Sequence, residues 1–230
     1  FAKSSGTTNA KSKFIPISEE SLEDCHFKAG KDLLSIYANN HPDNSLFSNK
    51  NLRLGGSSEL YEDFNTKFGD LSAIMIENLP FWVEITTTPS KKVSLMSEWE
   101  SKLKAIVSEV KNEDVGSMTG VPSWMMVLLQ RTLADTGKET ISDLWPNLEV
   151  FFHGGISFKP YRDQYRKIIG KDINYYEIYN ASEGFFAIQD QPGSDEMLLM
   201  LDYGIFYEFI PMDTFNPDNL QAVPLQDVEI

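Results

Sequence analysis

Three short segments carry residue types that can do chemistry. The first is Lys3-Ser4-Ser5-Gly6-Thr7-Thr8-Asn9-Ala10-Lys11-Ser12-Lys13. Small residues let the backbone wrap an anion, hydroxyls and amides donate to it, and the lysines offset its charge. The same composition fits a flexible basic loop. The second is His153-Gly154-Gly155-Ile156-Ser157, which follows an apolar run. Paired glycines let a flat ligand or another backbone approach closely, and they equally make a plain strand-to-helix turn. The third is Tyr179-Asn180-Ala181-Ser182-Glu183-Gly184. Its aromatic ring offers a stacking surface for a base. Glu183 offers a carboxylate to Mg2+, which takes few carboxylates alongside phosphate oxygens. A turn with an exposed glutamate reads the same way.

Other chemistries are excluded or unsupported. His26, His41, His153 and Cys25 do not complete a standard structural zinc site. The chain has no GxxxxGK[ST] phosphate loop and no GxGxxG dinucleotide fingerprint. Gly155-Ile156-Ser157-Phe158-Lys159 starts like a nucleophile elbow but lacks its final glycine. Asn180-Ala181-Ser182 fits a glycosylation sequon, a match of chance frequency.

Composition bounds the rest. In 230 residues, 41% hydrophobic and 12% aromatic content supplies a real core and excludes disorder. Twenty basic against 34 acidic residues give a net charge of −14, which argues against a nucleic-acid partner. The lone Cys25 excludes a disulfide scaffold. No stretch approaches the roughly 20 apolar residues of a membrane span, so no membrane partner is expected. Oligomeric state is not readable.

The elements that must position these segments follow from periodicity. Residues 1–13 read as a loop. Ser18 caps a helix whose apolar face is Leu22, Cys25, Ala29, Leu33 and Ile36. Leu52 to Leu54 reads as a strand; Leu60 to Phe68 and Leu71 to Leu79 read as short helices. One amphipathic helix is predicted from Val93 to Lys111, on Leu95, Trp99, Leu103, Ile106 and Val110. A strand over Val115–Thr119 leads to a helix from Pro122 to Ala134, apolar on most sides and so expected to be buried. The strand Leu148–Phe152, a helix over Pro160–Ile169 and a strand over Ile173–Tyr179 follow. Phe185–Gln189, Met197–Asp202 and Ile205–Ile210 read as further strands. This is an α/β chain with mixed sheets and flanking helices.

The order of the three segments, a Ser/Thr/Gly loop, then strand-Gly-Gly, then Tyr-x-x-Ser-Glu, resembles the adenylate-forming (ANL-like) enzymes. More closely, it is similar to the GH3 family of acyl-acid amido synthetases, in its bacterial branch. The matching residues are Ser4 to Thr8 with Lys13, Phe151 to Tyr161, Tyr179 to Phe186, Tyr207 to Pro211 and the helix start Gly120-Val121-Pro122-Ser123-Trp124. The family's third nucleotide motif, Tyr-Arg-x-x-Gly-Asp, is not present. That, with the opening at Phe1 and the end at Ile230, reads as an internal piece. On this expectation residues 1–230 are part of a large N-terminal adenylation domain without the C-terminal domain. Its phosphate loop would span 1–13 and its adenine and Mg segments 151–186.

The resemblance implies ATP and Mg2+ as cofactors, with a small carboxylic acid and an amine or amino acid as partners. It assigns Ser4, Ser5, Gly6, Thr7, Thr8 and Lys13 to the phosphates, with Lys13 catalytic. Gly154, Gly155, Ile156 and Ser157 would border adenine, and Tyr179, Asn180 and Ala181 would lie against it with Tyr179 stacking. Ser182 would touch the α-phosphate region, and Glu183, also catalytic, would hold the metal. Val121, Trp124, Met125 and Leu128 would line the acid site, though core packing explains them equally. Arg162 and Arg166 are either solvated or bind a charged part of the substrate. An acyl-CoA or acyl-carrier ligase with the same first half-reaction, and a non-catalytic ATP/AMP-binding relative, stay open. The need for ATP points to the cytoplasm.

Overall fold

The computed structural model of the chain describes residues 1–4, 13–55, 61–63 and 66–228. The chain begins with β1 (Ala2–Ser4) and β2 (Lys13–Ile15). A π-helical stretch, Ser21–Phe27, then runs into α1 (Lys28–Asn40). Next come β3 (Lys50–Leu54), β4 (Tyr61–Asp63), β5 (Thr66–Phe68), α2 (Leu71–Glu77), α3 (Phe81–Thr86), β6 (Thr87–Thr88) and α4 (Lys91–Ser94). The middle of the chain holds α5 (Trp99–Val110), β7 (Val115–Gly120), α6 (Pro122–Thr136), β8 (Val150–Gly154), α7 (Arg162–Ile169), β9 (Asn174–Ala181) and β10 (Gly184–Ile188). Short strands β11 (Leu198–Leu199), β12 (Glu208–Phe209) and β13 (Val223–Pro224) follow.

Seven strands form the central sheet in the order β11-β10-β9-β8-β7-β3-β6. The stretch from β6 to β9 is parallel, and β10 and β11 add on antiparallel. Alternation sends Leu52, Leu54, Met118 and Phe151 to one face, where α5, α6 and α7 cover them with Leu103, Ile106, Leu128 and Tyr165. Val150, Phe152 and Tyr176 point the other way, onto Ala29, Leu33 and Tyr37 of α1. The buried face of α1 runs Cys25, Ala29, Leu33, Tyr37, a spacing of four that selects Tyr37 rather than Ile36. A smaller cluster of Ala2, Leu71 and Ile74 pins β1 to α2. No helix among the described residues is long and apolar enough to cross a membrane.

Several expectations are corrected. Residues 1–13 are not all loop: β1 pairs with β2 antiparallel, Ala2 opposite Ile15 and Ser4 opposite Lys13. The stretch read as a helix to Phe68 contains the β4–β5 hairpin. Phe68 is held there by rings from the first hairpin, stacking on Phe1 at 5.4 Å and meeting Phe14 edge-on at 5.8 Å. The helix expected from Val93 to Lys111 is two. Glu98 breaks it by capping α5, accepting from the backbone N–H of Glu100 at 2.9 Å and of Ser101 at 2.7 Å. Beyond residue 196 the described ladders are two residues long, and side chains add further contacts. Buried Tyr203 donates to Asp32 Oδ2 at 2.8 Å, and the Tyr207 hydroxyl donates to the Met200 carbonyl at 3.0 Å. The helix α6 runs two residues beyond the expected Ala134 and ends at Gly137, with φ of 67°. It is not buried all round: Trp124 and Val127 are exposed.

Candidate functional site

Three neighbouring strands deliver the candidate residues to one edge. β7, β8 and β9 are parallel, with Gly120 opposite His153 and Gly154 opposite Ile178. Their carboxyl ends therefore lie side by side, the edge at which open α/β sheets bind ligands. At Gly154 the close approach is to backbone: a Cβ there would collide with the Ile178 carbonyl oxygen. Gly155 has φ of +82°, and a Cβ on it would lie 3.4 Å from Val121 Cγ2. The first glycine thus serves the sheet and the second serves the turn, which leaves Ile156 and Ser157 exposed beside Val121.

The third segment is a hairpin. Ala181 pairs with Gly184, so Ser182 and Glu183 form a two-residue turn between β9 and β10. Glu183 is exposed, and Tyr179 presents a ring that is 55% exposed and packs on Phe186 at 5.1 Å. Tyr175, Glu177 and Tyr179 alternate onto the same face of β9. The register places Glu177 beside His153.

A cleft of about 280 Å³ opens on this face, lined by His153, Ser157, Phe158, Arg162, Tyr175 and Glu177 and closed by the 192–195 turn. The turn is held by Gln189, whose Nε2 donates to the carbonyls of Ser194 at 2.8 Å and Gln191 at 3.3 Å. The Lys159–Asp195 ion pair at 2.9 Å adds a second tie. His153 stacks on Phe158 at 4.2 Å, and the Arg162 guanidinium lies over that aromatic ring at 6.0 Å. Burial first, and the Arg162 charge second, push the His153 imidazole down to about 4. It is neutral at pH 7, with Nδ1 shielded and unpartnered among the described residues. Burial likewise raises the Tyr175 hydroxyl to about 12, so it stays a donor.

The remaining expected residues divide. Ser5, Gly6, Thr7 and Thr8 lie outside the described residues. Ser4 ends β1 and Lys13, exposed, opens β2 directly opposite it. From β2 the chain passes through residues 16–20 into the π-helical stretch. There Cys25 Sγ accepts the Phe185 N–H at 3.2 Å, tying the π-helical stretch to β10 of the hairpin. Val121 caps α6 and Trp124 is half exposed, while Met125 and Leu128 are fully buried in the main core. Asn180 and Ala181 are partly buried in β9. The sequence reading passed over Phe158, Tyr175 and Glu177. Strand alternation from Tyr179 back to Tyr175 was the signal that pointed to the last two.

The GH3 family N-terminal domain matches residues 1–173. This chain belongs to the GH3 family. No curated protein matches it. Among solved structures, AtGH3.15 acyl acid amido synthetase in complex with 2,4-DB superposes with a TM-score of 0.75 at 14% identity, over 100% of this chain and 48% of that one. A second GH3.15 acyl acid amido synthetase structure gives 0.69 at 10% identity, over 96% and 47%. At such identities the likeness is one of fold, and it matches the mixed α/β sheet with flanking helices. The GH3 chain spans about half the length of these solved relatives.

Proposed function

We propose that this GH3 chain is part of the adenylation domain of an ATP-dependent acyl-acid amido synthetase. The observation that carries the reading is the meeting of three features at one sheet edge: Val121, the Gly154–Gly155 turn and the Tyr179–Glu183 hairpin. They are the features that the GH3 resemblance assigns to acid, adenine and metal. The relative solved with 2,4-DB is itself an acyl acid amido synthetase, which supports a carboxylic acid as substrate.

In this reading the base lies against Gly155, Ile156 and Ser157 with Tyr179 stacking on it, flanked by Asn180 and Ala181. The cleft beyond, with neutral His153 and the Glu177 carboxylate, borders it. Ser4, Ser5, Gly6, Thr7, Thr8 and Lys13 hold the phosphates, and Ser182 the α-phosphate region. The donor set fits Mg2+. One exposed carboxylate, Glu183, beside phosphate oxygens is how this ion is commonly bound, and the ion would neutralise charge on the departing pyrophosphate. Val121 and Trp124 form the open side of the acid site, over Met125 and Leu128 beneath.

The chemistry balances in two steps. A carboxylate oxygen attacks the α-phosphorus and the bond to pyrophosphate breaks. An amine then attacks the acyl carbon, the C–O bond to AMP breaks, and the amine proton leaves to solvent. Charge develops on phosphate oxygens in the first step, so positioned donors and Lys13 supply most of the catalysis. ATP as substrate puts the enzyme in the cytoplasm.

The test is ATP–pyrophosphate exchange on the full-length protein with aryl, indole and aliphatic carboxylic acids. Exchange that depends on one acid, and that falls roughly a hundredfold or more in Glu183→Ala, is expected. Exchange untouched by that substitution sinks the metal assignment. Adding amino acids or CoA then chooses between amide and thioester.

A further inference from the structure

One unusual charge among the described residues belongs to none of the roles assigned above. Arg53 is the fourth of five residues in β3, a strand that runs between β7 and β6. Leu52 and Leu54 point into the main core, so Asn51 and Arg53 point to the opposite face. The register sets Asn51 beside Ser117 and Arg53 beside Thr119. These four side chains make a polar ledge on a sheet face that turns apolar on the neighbouring strands, at Val150, Phe152 and Tyr176.

Hydrogen-bond arithmetic on the ledge leaves donors in surplus. Asn51 Nδ2 donates to Ser117 Oγ at 2.9 Å and Thr119 Oγ1 at 3.1 Å. The Thr119 hydroxyl returns its proton towards Asn51 Oδ1 at 3.4 Å. The Ser117 hydroxyl hydrogen finds no acceptor among the described residues. Arg53 has neither a hydrogen bond nor an ion pair among them, and its Nε is fully shielded. Glu84 of α3 acts on it at a distance without pairing. Burial lowers the guanidinium only to about 10, so the charge persists at neutral pH. A cation whose Nε is shielded and has no partner among the described residues is costly to hold until an acceptor completes it. Arg53 lies one residue before the carboxyl end of β3, on the edge shared with Gly120 and Gly154.

We propose that Arg53, with Ser117 and Thr119, is an oxyanion-binding site that takes a carboxylate or phosphate group in the fork of its guanidinium. The existence of the site does not rest on the amido synthetase reading; which anion fills it does, since that reaction supplies both a carboxylate and phosphates.

The experiment is calorimetric titration of the full-length protein with ATP, inorganic pyrophosphate and the same panel of carboxylic acids, for wild type, Arg53→Met and Arg53→Lys. Loss of one charge-assisted pair is expected to weaken one anion class by roughly tenfold or more in Arg53→Met, with Arg53→Lys intermediate. Weakened ATP and pyrophosphate identifies phosphate; weakened acids identifies carboxylate. Ligand-free Arg53→Met is expected to melt at or above the wild-type temperature, because an unpaired charge has been removed. A lowered melting temperature in both variants makes Arg53 structural and overturns the proposal. So does unchanged affinity for every anion, or a wild type that binds none. Should wild type bind anions through Arg53 yet show no acid-dependent exchange, the ligase reading falls and the anion site stands.

Discussion

The two faces of the central sheet at β7 and β8 are built differently. On the side of α6 and α7, Met118 and Phe151 are adjacent, fully buried and continuous with Leu128, Trp145 and Tyr165. On the side of α1, Val150 and Phe152 continue an apolar layer, but Ser117 and Thr119 beside them turn polar, and Arg53 follows on β3. A parallel sheet covered on both faces reads as continuous hydrophobic runs. Where that rule fails in mid-sheet, the residues are not chosen for cohesion. The first face secures the fold of this GH3 chain, and the second carries the polar groups that the proposed anion site would use.

The contrast breaks most directly by truncation. Phe151→Ala removes a ring stacked on Tyr165 at 5.1 Å and is expected to cost about 3–5 kcal/mol in denaturant unfolding. Thr119→Val removes one acceptor from Asn51, which keeps Ser117, and is expected to cost about 1 kcal/mol. Equal costs would erase the distinction between the faces.

Much of this was legible in the sequence. The α5, α6 and α7 stripes, the buried run at Val150 and the turn at Gly154–Gly155 follow from local periodicity and glycine. What escaped depends on partners distant in the chain. The β1–β2 ribbon exists because rings meet across it, Phe14 and Phe1 against Phe68, and no local window contains all of them. The reason for Gly154 was only half readable: an approach by backbone was foreseen, but that it is Ile178 is a matter of register. Arg53 reads in sequence as one polar residue of a short strand. Its lack of a partner among the described residues is a property of neighbouring strands, not of the local sequence. Within the candidate site, motif order named the two turns and the exposed Tyr179, while the His153–Phe158–Arg162 stack needed coordinates.

The face that His153 shares with Phe151 carries a pH signature. His153 titrates near 4 in the folded chain, against an ordinary value of 6.5. Between those values the unfolded chain binds the extra proton, so stability present above pH 6.5 is lost as pH falls towards 4. The full effect is about 3 kcal/mol, with a steepest slope of about 1.4 kcal/mol per pH unit. His153→Phe, which keeps a ring on Phe158, is expected to flatten the slope of unfolding free energy against pH in that window. Part of the slope persists, because burial also lowers the His26 imidazole. An unchanged profile would mean that the imidazole is not shielded by the cleft wall.

An equally small expected effect on stability tests where the cohesive face ends and the site begins. Trp124 stands at the start of α6, half exposed, its ring edge-on to Trp99 at 4.9 Å. Its neighbours Met125 and Leu128 are core, and Val121 before it touches the Gly155 turn. Trp124→Ala is therefore expected to cost only about 1 kcal/mol of stability, roughly the worth of one aromatic pair. In the acid site it would act on substrate instead: the acid concentration needed for half-maximal exchange should rise while the maximal rate and ATP affinity hold, the mark of lost ground-state binding. A cost near that of Phe151→Ala would return Trp124 to the core. A small cost with unchanged acid dependence would move the acid away from α6 and towards the polar ledge at Arg53.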